Sequence, residues 1–313
     1  MASFVSPCNA IVLGANGIGL ALVNVRGGPG ATHQHEVSLG ALQRGGAGPK
    51  VLLTSQFVHT DAGHLANNMI MYLLYSSVMA EQLQRGTGGA FTVVPLYLLS
   101  GAAGAATFLQ TVRRRYDPAV ADFIGVVGSS GATYGLAALS GVLAAADASA
   151  GSAVGVTAAG PFAALYVALP VVPHLCRRIA ACRGRVASPA AAAAKDRKRD
   201  AVVAATAVAH FCVATQVSRR CYGGRGVSPS AAFALYIGSL LARKVLRRCV
   251  LKESDEGSDH ATHLGGTLAG FGLGLAVALA TGRTLRPTAD SVQEWGWLSA
   301  SLLAIVGRYA FQW

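Results

Sequence analysis

Long apolar stretches without charge alternate with short polar connections along most of the chain. A helix needs roughly 20 mostly apolar residues to cross about 30 Å of hydrocarbon, and several stretches reach or approach that length. The pattern therefore predicts an all-α, polytopic transmembrane helix bundle. The predicted spans lie near 8–24, 62–80, 91–112, 126–146, 154–175, 201–218, 229–242, 263–281 and 297–312.

Composition agrees with a membrane protein, since 52% of the 313 residues are hydrophobic, 13% are charged and the mean hydropathy is +0.45. The net charge of +12 comes from basic clusters between the apolar stretches, at 113–115, 177–199 and 243–248. Clusters in this position are typical of charge that faces water or lipid headgroups. We therefore expect a lipid bilayer around the protein and no nucleic acid partner.

The chain divides into three predicted parts. Three predicted helices follow one another closely between about 52 and 146, as in a compact membrane bundle. Residues 176–200 are basic and Ala-rich instead, which predicts a loop. The parts are an N-terminal apolar segment with a first loop (1–51), a membrane domain (52–281) with a basic insertion near 150–228, and a C-terminal apolar helix (282–313).

Three polar clusters lie at the N-terminal ends of predicted helices, where a polar group is costly and is therefore a candidate for function. One predicted span separates the first cluster from the second, and three separate the second from the third. Each span reverses the direction of the chain across the membrane, so an odd number of intervening spans makes the three helices parallel. The clusters then meet near one membrane face. They are His59, His64, Asn67 and Asn68 in FVHTDAGHLANNM, Ser129 and Ser130 in GSSG, and His263 in THLGGTLAG.

These residue types suit nucleophilic catalysis. A serine hydroxyl needs a base within hydrogen-bonding distance, and a histidine can accept its proton and then pass it to the leaving amine. Ser130 and His263 can take these roles. A tetrahedral oxyanion needs hydrogen-bond donors, which the Asn68 amide, the His64 imidazole and the backbone N–H of Ser130 can supply.

Glycines next to the polar residues fit the same interpretation. Gly128 and Gly131 leave room for a substrate backbone beside the serine, and Gly266 and Gly270 allow two helices to touch. Each polar residue also has a structural explanation by itself. A serine in a membrane helix often bonds to the carbonyl four residues earlier, and a His–Asn pair can hold helices together.

Taken together, these segments resemble the rhomboid intramembrane serine proteases. FVHTDAGHLANNM resembles the second-helix signature of that family, and the segment 80–104 resembles the connection into its third helix. GSSG matches the GxSG nucleophile motif, which selects Ser130 because this serine directly precedes the glycine. THLGGTLAG matches the family motif in which a histidine is followed by glycines three and seven residues later. The resemblance covers roughly 50–146 and 255–281.

The resemblance implies a six-helix core with extra hydrophobic helices and an endopeptidase that cleaves transmembrane protein substrates. The reaction needs no cofactor and no metal, because a Ser–His dyad carries it. Ser130 is the implied nucleophile and His263 the implied base and acid, with His64 and Asn68 as oxyanion donors. The implied supporting residues are Gly128, Tyr134 against the His263 ring, His59, Gly266 and Gly270.

Two features depart from the family pattern. No Trp precedes Trp295, so the Trp-Arg pair often found in the first loop is missing. Ser130 and His263 are 133 positions apart, which indicates an insertion with one or two extra helices. The additional C-terminal helix favours a multi-pass protein of the secretory pathway, with the mitochondrial inner membrane as the other location; orientation is left open.

Three other functions fit parts of the sequence. A catalytically silent rhomboid-like protein would bind membrane clients for trafficking or degradation, and it would typically have lost the serine or the histidine. A metal or haem protein could use the His pairs, although HExxH is absent. A transporter would place ionisable residues deep in several helices, and the sequence does not show this pattern.

Overall fold

A computed structural model of the chain describes residues 7–26, 35–43, 50–84, 89–151, 227–246 and 260–310, with short pieces between 171 and 216. The predicted span at 154–175 and the loop at 176–200 lie largely outside the described residues, whereas most of the predicted span at 201–218 is described and is helical. The described part is helical, with one isolated bridge between Val37 and Val126. The all-α prediction is confirmed.

The described helices follow the predicted spans closely. The helix that follows GSSG starts at Ser130, four residues later than predicted, and the last helix starts at Ala289, eight residues earlier. In chain order the helices are α1 (Pro7–Arg26), α2 (Leu39–Gln43), α3 (Lys50–Thr54), α4 (Ala62–Gln84), α5 (Val93–Arg115), α6 (Pro118–Ala121), α7 (Ser130–Ser149), α8 (Pro229–Leu246), α9 (His260–Ala280) and α10 (Ala289–Ala310).

Helix α7 lies at the centre of the bundle. Every residue from 131 to 148 is buried, because α4, α5, α8, α9 and α10 all pack around it. Its sequence is apolar on all sides and rich in Ala and Gly, as a fully enclosed helix requires. Ser130 therefore stands at the end of the central helix.

Helices α7 and α9 touch backbone to backbone. The Cα of Gly266 lies against the carbonyl of Gly131, and the Cα of Gly270 lies against the carbonyl of Gly135, with no room for a side chain at either position. Such contacts let van der Waals packing hold membrane helices together. The contact positions ascend together along both helices, so α7 and α9 run parallel.

The far ends of the same helices are joined by polar groups. Arg283, just after α9, forms a buried ion pair with Asp147 of α7 (Nε to Oδ1 2.9 Å) and donates to the backbone carbonyl of Gln82 in α4. Gln82 and Ser140 also exchange two hydrogen bonds of 3.1 Å. Helix α4 is therefore parallel to α7, which confirms that all three polar clusters lie at one end of the bundle.

Two of the described helices, α5 and α9, are long and apolar enough to cross a membrane. Apolar parts of α1 (Pro7–Val23) and α8 (Pro229–Ala242) are shorter. Because α5 ends at the same end of the bundle where α7 begins, Arg113, Arg114 and Arg115 lie on the side of the polar clusters.

Candidate active site

The chain makes a sharp turn immediately before Ser130. Val126 pairs with Val37 in an extended conformation, and Gly128 then adopts φ of +107°, which favours glycine. The Gly128 N–H donates to the Ser55 carbonyl (3.0 Å). This local geometry explains why α7 starts at Ser130 and not near residue 126.

The two adjacent serines have different surroundings. Ser129 is completely buried, and its Oγ lies 3.3 Å from His59 Nε2. Ser130 is only partly buried and opens the first turn of α7. A nucleophile has to reach its substrate, so accessibility favours Ser130, as the motif does. Its N–H belongs to the first turn of the helix, where N–H groups have no partner within the helix.

His263 lies in the first turn of α9, against Tyr134. The two rings are stacked, with centroids 4.2 Å apart and planes within 6°. Tyr134 follows Ser130 by one helical turn, a spacing that puts both side chains on one face of α7. The stacking therefore places the imidazole on the face of α7 that carries Ser130.

No hydrogen bond joins the Ser130 hydroxyl to the His263 imidazole within the described part of the chain. Catalytic hydrogen bonds are often long without substrate and tighten when it binds. The two helices are already fixed by the glycine contacts one residue after Ser130 and three residues after His263.

His64 packs against the turn before Ser130. A Cβ on Gly128 would lie 2.6 Å from His64 Cε1 and 2.9 Å from its Nε2, so only glycine allows this approach. The other ring nitrogen of His64, Nδ1, lies 3.3 Å from Thr60 Oγ1. The backbone N–H of His64 donates to Asp61 Oδ1 (2.9 Å). Thr60 and Asp61 thus orient the ring so that Nε2 faces the turn. Neither residue was predicted as part of the site, although both lie inside the histidine signature.

His59 connects the remaining groups behind this turn. It is completely buried, its Nε2 lies 3.0 Å from Asn68 Nδ2, and its ring meets the His64 ring edge-on at 4.9 Å. The same nitrogen contacts the Ser129 hydroxyl. His59 therefore links α4 to the serine turn, as a supporting residue would.

Burial, together with the smaller effect of the nearby His64, lowers the pKa of His59 from 6.5 to about 3, although the Phe57 backbone and Asp61 act in the opposite direction. His59 is therefore neutral at physiological pH. A neutral ring has one accepting nitrogen, which fits Nε2 receiving hydrogen bonds from Asn68 and Ser129.

We expect acid to destabilise the fold between about pH 6.5 and about pH 3. Above this range His59 is neutral in both states; within it the unfolded chain takes up a proton that the folded protein does not, so stability falls as the pH falls. Thermal unfolding midpoints in detergent micelles across this range measure the effect. His59→Gln should lower stability at neutral pH and flatten the pH dependence, whereas an unchanged slope would contradict this role.

No group of three His, Cys, Asp or Glu side chains is placed to hold a metal ion among the residues that the structure describes. The His59–His64 pair instead serves Asn68 and the serine turn. The described geometry thus brings together all the predicted site residues: His59, His64, Asn68, Gly128, Ser130, Tyr134, His263, Gly266 and Gly270.

The family model of the Rhomboid domain matches residues 49–186. The match includes His64, Asn68 and Ser130 and ends before His263. No curated protein and no solved structure shows significant similarity to the chain. The domain match and the apolar helices α5 and α9 make this an integral membrane protein. Residues 49–186 of the chain are thus similar to the Rhomboid domain, a domain of intramembrane proteases.

Proposed function

We propose that this protein is an active serine endopeptidase that cleaves other membrane proteins in or near their transmembrane segments. The observation that carries the proposal is the stacking of His263 on Tyr134, one turn from the partly exposed Ser130. A base near a hydroxyl that is accessible at the end of the central helix is what acyl transfer requires.

In the proposed reaction, Ser130 Oγ attacks the scissile carbonyl carbon while His263 accepts the hydroxyl proton. The C–N bond then breaks, and His263 returns the proton to the leaving amine. A water molecule, deprotonated by His263, hydrolyses the acyl-enzyme and restores the serine. The base needs no third catalytic residue for orientation, because the Tyr134 ring holds one face of the imidazole.

The oxyanion would be stabilised on the side of the Gly128 turn. His64 Nε2 would lie 2.9 Å and Asn68 Nδ2 3.7 Å from a Cβ on Gly128, and the Ser130 N–H, which has no partner within the first turn, would be a third donor. The Asn68 amide has two N–H groups, so one can remain on His59 while the other donates to substrate. Donors fixed before the reaction stabilise developing charge effectively.

The proposal extends to the setting of the enzyme. The substrates would be transmembrane proteins, and the enzyme would span the bilayer several times, with no cofactor. We propose the secretory pathway as its location, since the extra apolar helix α10 follows the catalytic helices. The proposed division keeps a membrane domain at 52–281 between an N-terminal segment and a C-terminal helix.

The test is cleavage of a reporter transmembrane protein in liposomes by wild type and by His263→Ala. We expect specific cleavage by wild type, insensitive to EDTA, and a loss on the order of 10³-fold or more in the variant, because the hydroxyl loses its base. A fluorophosphonate should label the wild type. Correctly folded wild-type protein that binds the reporter but neither cleaves it nor reacts with the fluorophosphonate would identify a silent client-binding protein.

A further inference from the structure

Arg308 of α10 lies at the same depth in the bundle as Ser130. Leu298 of α10 and Gly141 of α7 lie at the same depth in the bundle, because Leu298 Cδ1 would be 3.1 Å from a Cβ on Gly141. The helices α10 and α7 are antiparallel, and a helix rises about 1.5 Å per residue. Arg308 is therefore about 15 Å along α10 from this level, and Ser130 is about 16 Å from it along α7.

The side chain of Arg308 is on the inner face of α10. Ile305, one turn earlier, is buried in the core cluster that contains Tyr134, and a spacing of three keeps Arg308 on the same face. The guanidinium is close enough to Tyr134 and His263 to act on both electrostatically, although the Tyr134 hydroxyl makes no hydrogen bond to the described residues. Its Nε is buried and makes no hydrogen bond to the described residues.

This charge has no acidic partner in the described part of the chain, where no carboxylate forms an ion pair with Arg308. Arg308 is partly buried, and a cation that is even partly withdrawn from water is costly without a counter-charge. The guanidinium suits a carboxylate in particular, because its planar N–H groups match the two carboxylate oxygens. A substrate in the site would be the nearest source of such a group.

We propose that Arg308 is a specificity-determining residue that binds a side-chain carboxylate of the substrate, so that the protein prefers Asp or Glu near the scissile bond. The inference rests on the proposed function, since it takes the space beside Ser130 and His263 as the substrate site. It also gives α10, which lies outside the matched domain, a direct part in the site.

Binding is the first test, because it does not depend on cleavage. The probes are fluorescent transmembrane peptides that are identical except for a single Asp or Asn at successive positions, and the receptor is the Ser130→Ala protein in detergent micelles. We expect at least one position where the Asp peptide binds about 10-fold to 100-fold tighter than its Asn partner, the range of a hydrogen bond between charged groups.

Arg308→Gln should abolish this preference, and Arg308→Lys should keep part of it because the charge remains. The matched control is Arg115→Gln, which removes a cation at the same end of the bundle; Arg115 lies 5.0 Å over the Tyr309 ring. This control should keep the full preference. Equal binding of Asp and Asn peptides at every position, or a preference that survives Arg308→Gln, would overturn the proposal.

Cleavage of the same peptides separates this inference from the proposed function. Cleavage that depends on Ser130 but shows no preference for Asp would support the proposed peptidase function and overturn the proposed role of Arg308. An Arg308-dependent preference in binding, with no cleavage by the wild type, supports the carboxylate site and contradicts the peptidase. The thermal unfolding midpoint of each variant shows whether it is folded.

Discussion

Replacing Ser130 with alanine is expected to lower peptide hydrolysis on the order of 10⁴-fold or more, because the proposed reaction loses its nucleophile. The neighbouring Ser129→Ala is the matched control, one residue away and chemically identical. Ser129 is buried, and its hydroxyl lies 3.3 Å from His59 Nε2 and also interacts with Tyr97. Loss of these hydroxyl contacts should cost less than about 10-fold in kcat/KM.

The measurement is kcat/KM for a reporter transmembrane substrate, together with the site of fluorophosphonate attachment found by mass spectrometry. The adduct should be on Ser130 in the wild type and in Ser129→Ala, and it should be absent from Ser130→Ala. An active Ser130→Ala protein, or an adduct on Ser129, would falsify the assignment of the nucleophile. The unfolding midpoint of Ser130→Ala should stay near that of the wild type, since the side chain is only partly buried.

Gly270→Ala is expected to damage both the fold and the activity, although the residue touches no substrate. A Cβ at this position would collide with the carbonyl, C and Cα of Gly135, and backbone cannot move aside as a side chain can. Overpacking of this kind costs about 1–3 kcal/mol. The separation of α7 and α9 would also move His263 relative to Ser130, and a shift of about 1 Å can reduce activity by about 100-fold.

Gly272→Ala provides the control, two residues later on the same helix. Gly272 is exposed and has nothing within 4 Å of a Cβ position. Alanine there should leave activity unchanged and slightly favour the helix, since Gly is about 1 kcal/mol less favourable than Ala. The unfolding midpoint and kcat/KM of both variants are compared in the same detergent. Equal effects at the two positions would show that the backbone contact does not control the site.

Much of the arrangement could be predicted because it depends on short stretches of sequence. Apolar length predicted the helices, and the odd number of spans predicted that α4, α7 and α9 are parallel. Glycines four apart predicted the close contact between α7 and α9, since small residues leave the backbone open wherever a neighbour approaches. The motif selected Ser130 from two adjacent serines, and the difference in their burial supports the same choice.

The start of α7 could not be predicted from its own residues. The stretch before Ser130 is as apolar as the helix that follows, so hydropathy continued the helix back to about residue 126. Pairing with Val37, which is 89 positions earlier in the chain, holds Val126 extended instead. Such pairing depends on how the first loop lies on the bundle, and a local pattern carries no information about it.

The sequence by itself determined that this is a helical membrane protein with a serine, histidines and an asparagine at one end of its bundle, because hydrophobicity, helical spacing and span number act locally. Only the tertiary structure decided that Ser129 meets His59, that Tyr134 meets His263, and that the charge of Arg308 acts on Tyr134 and His263. These contacts depend on the rotation and depth of helices far apart in the chain. The rotation and the depth of each helix are set by its packing against the other helices.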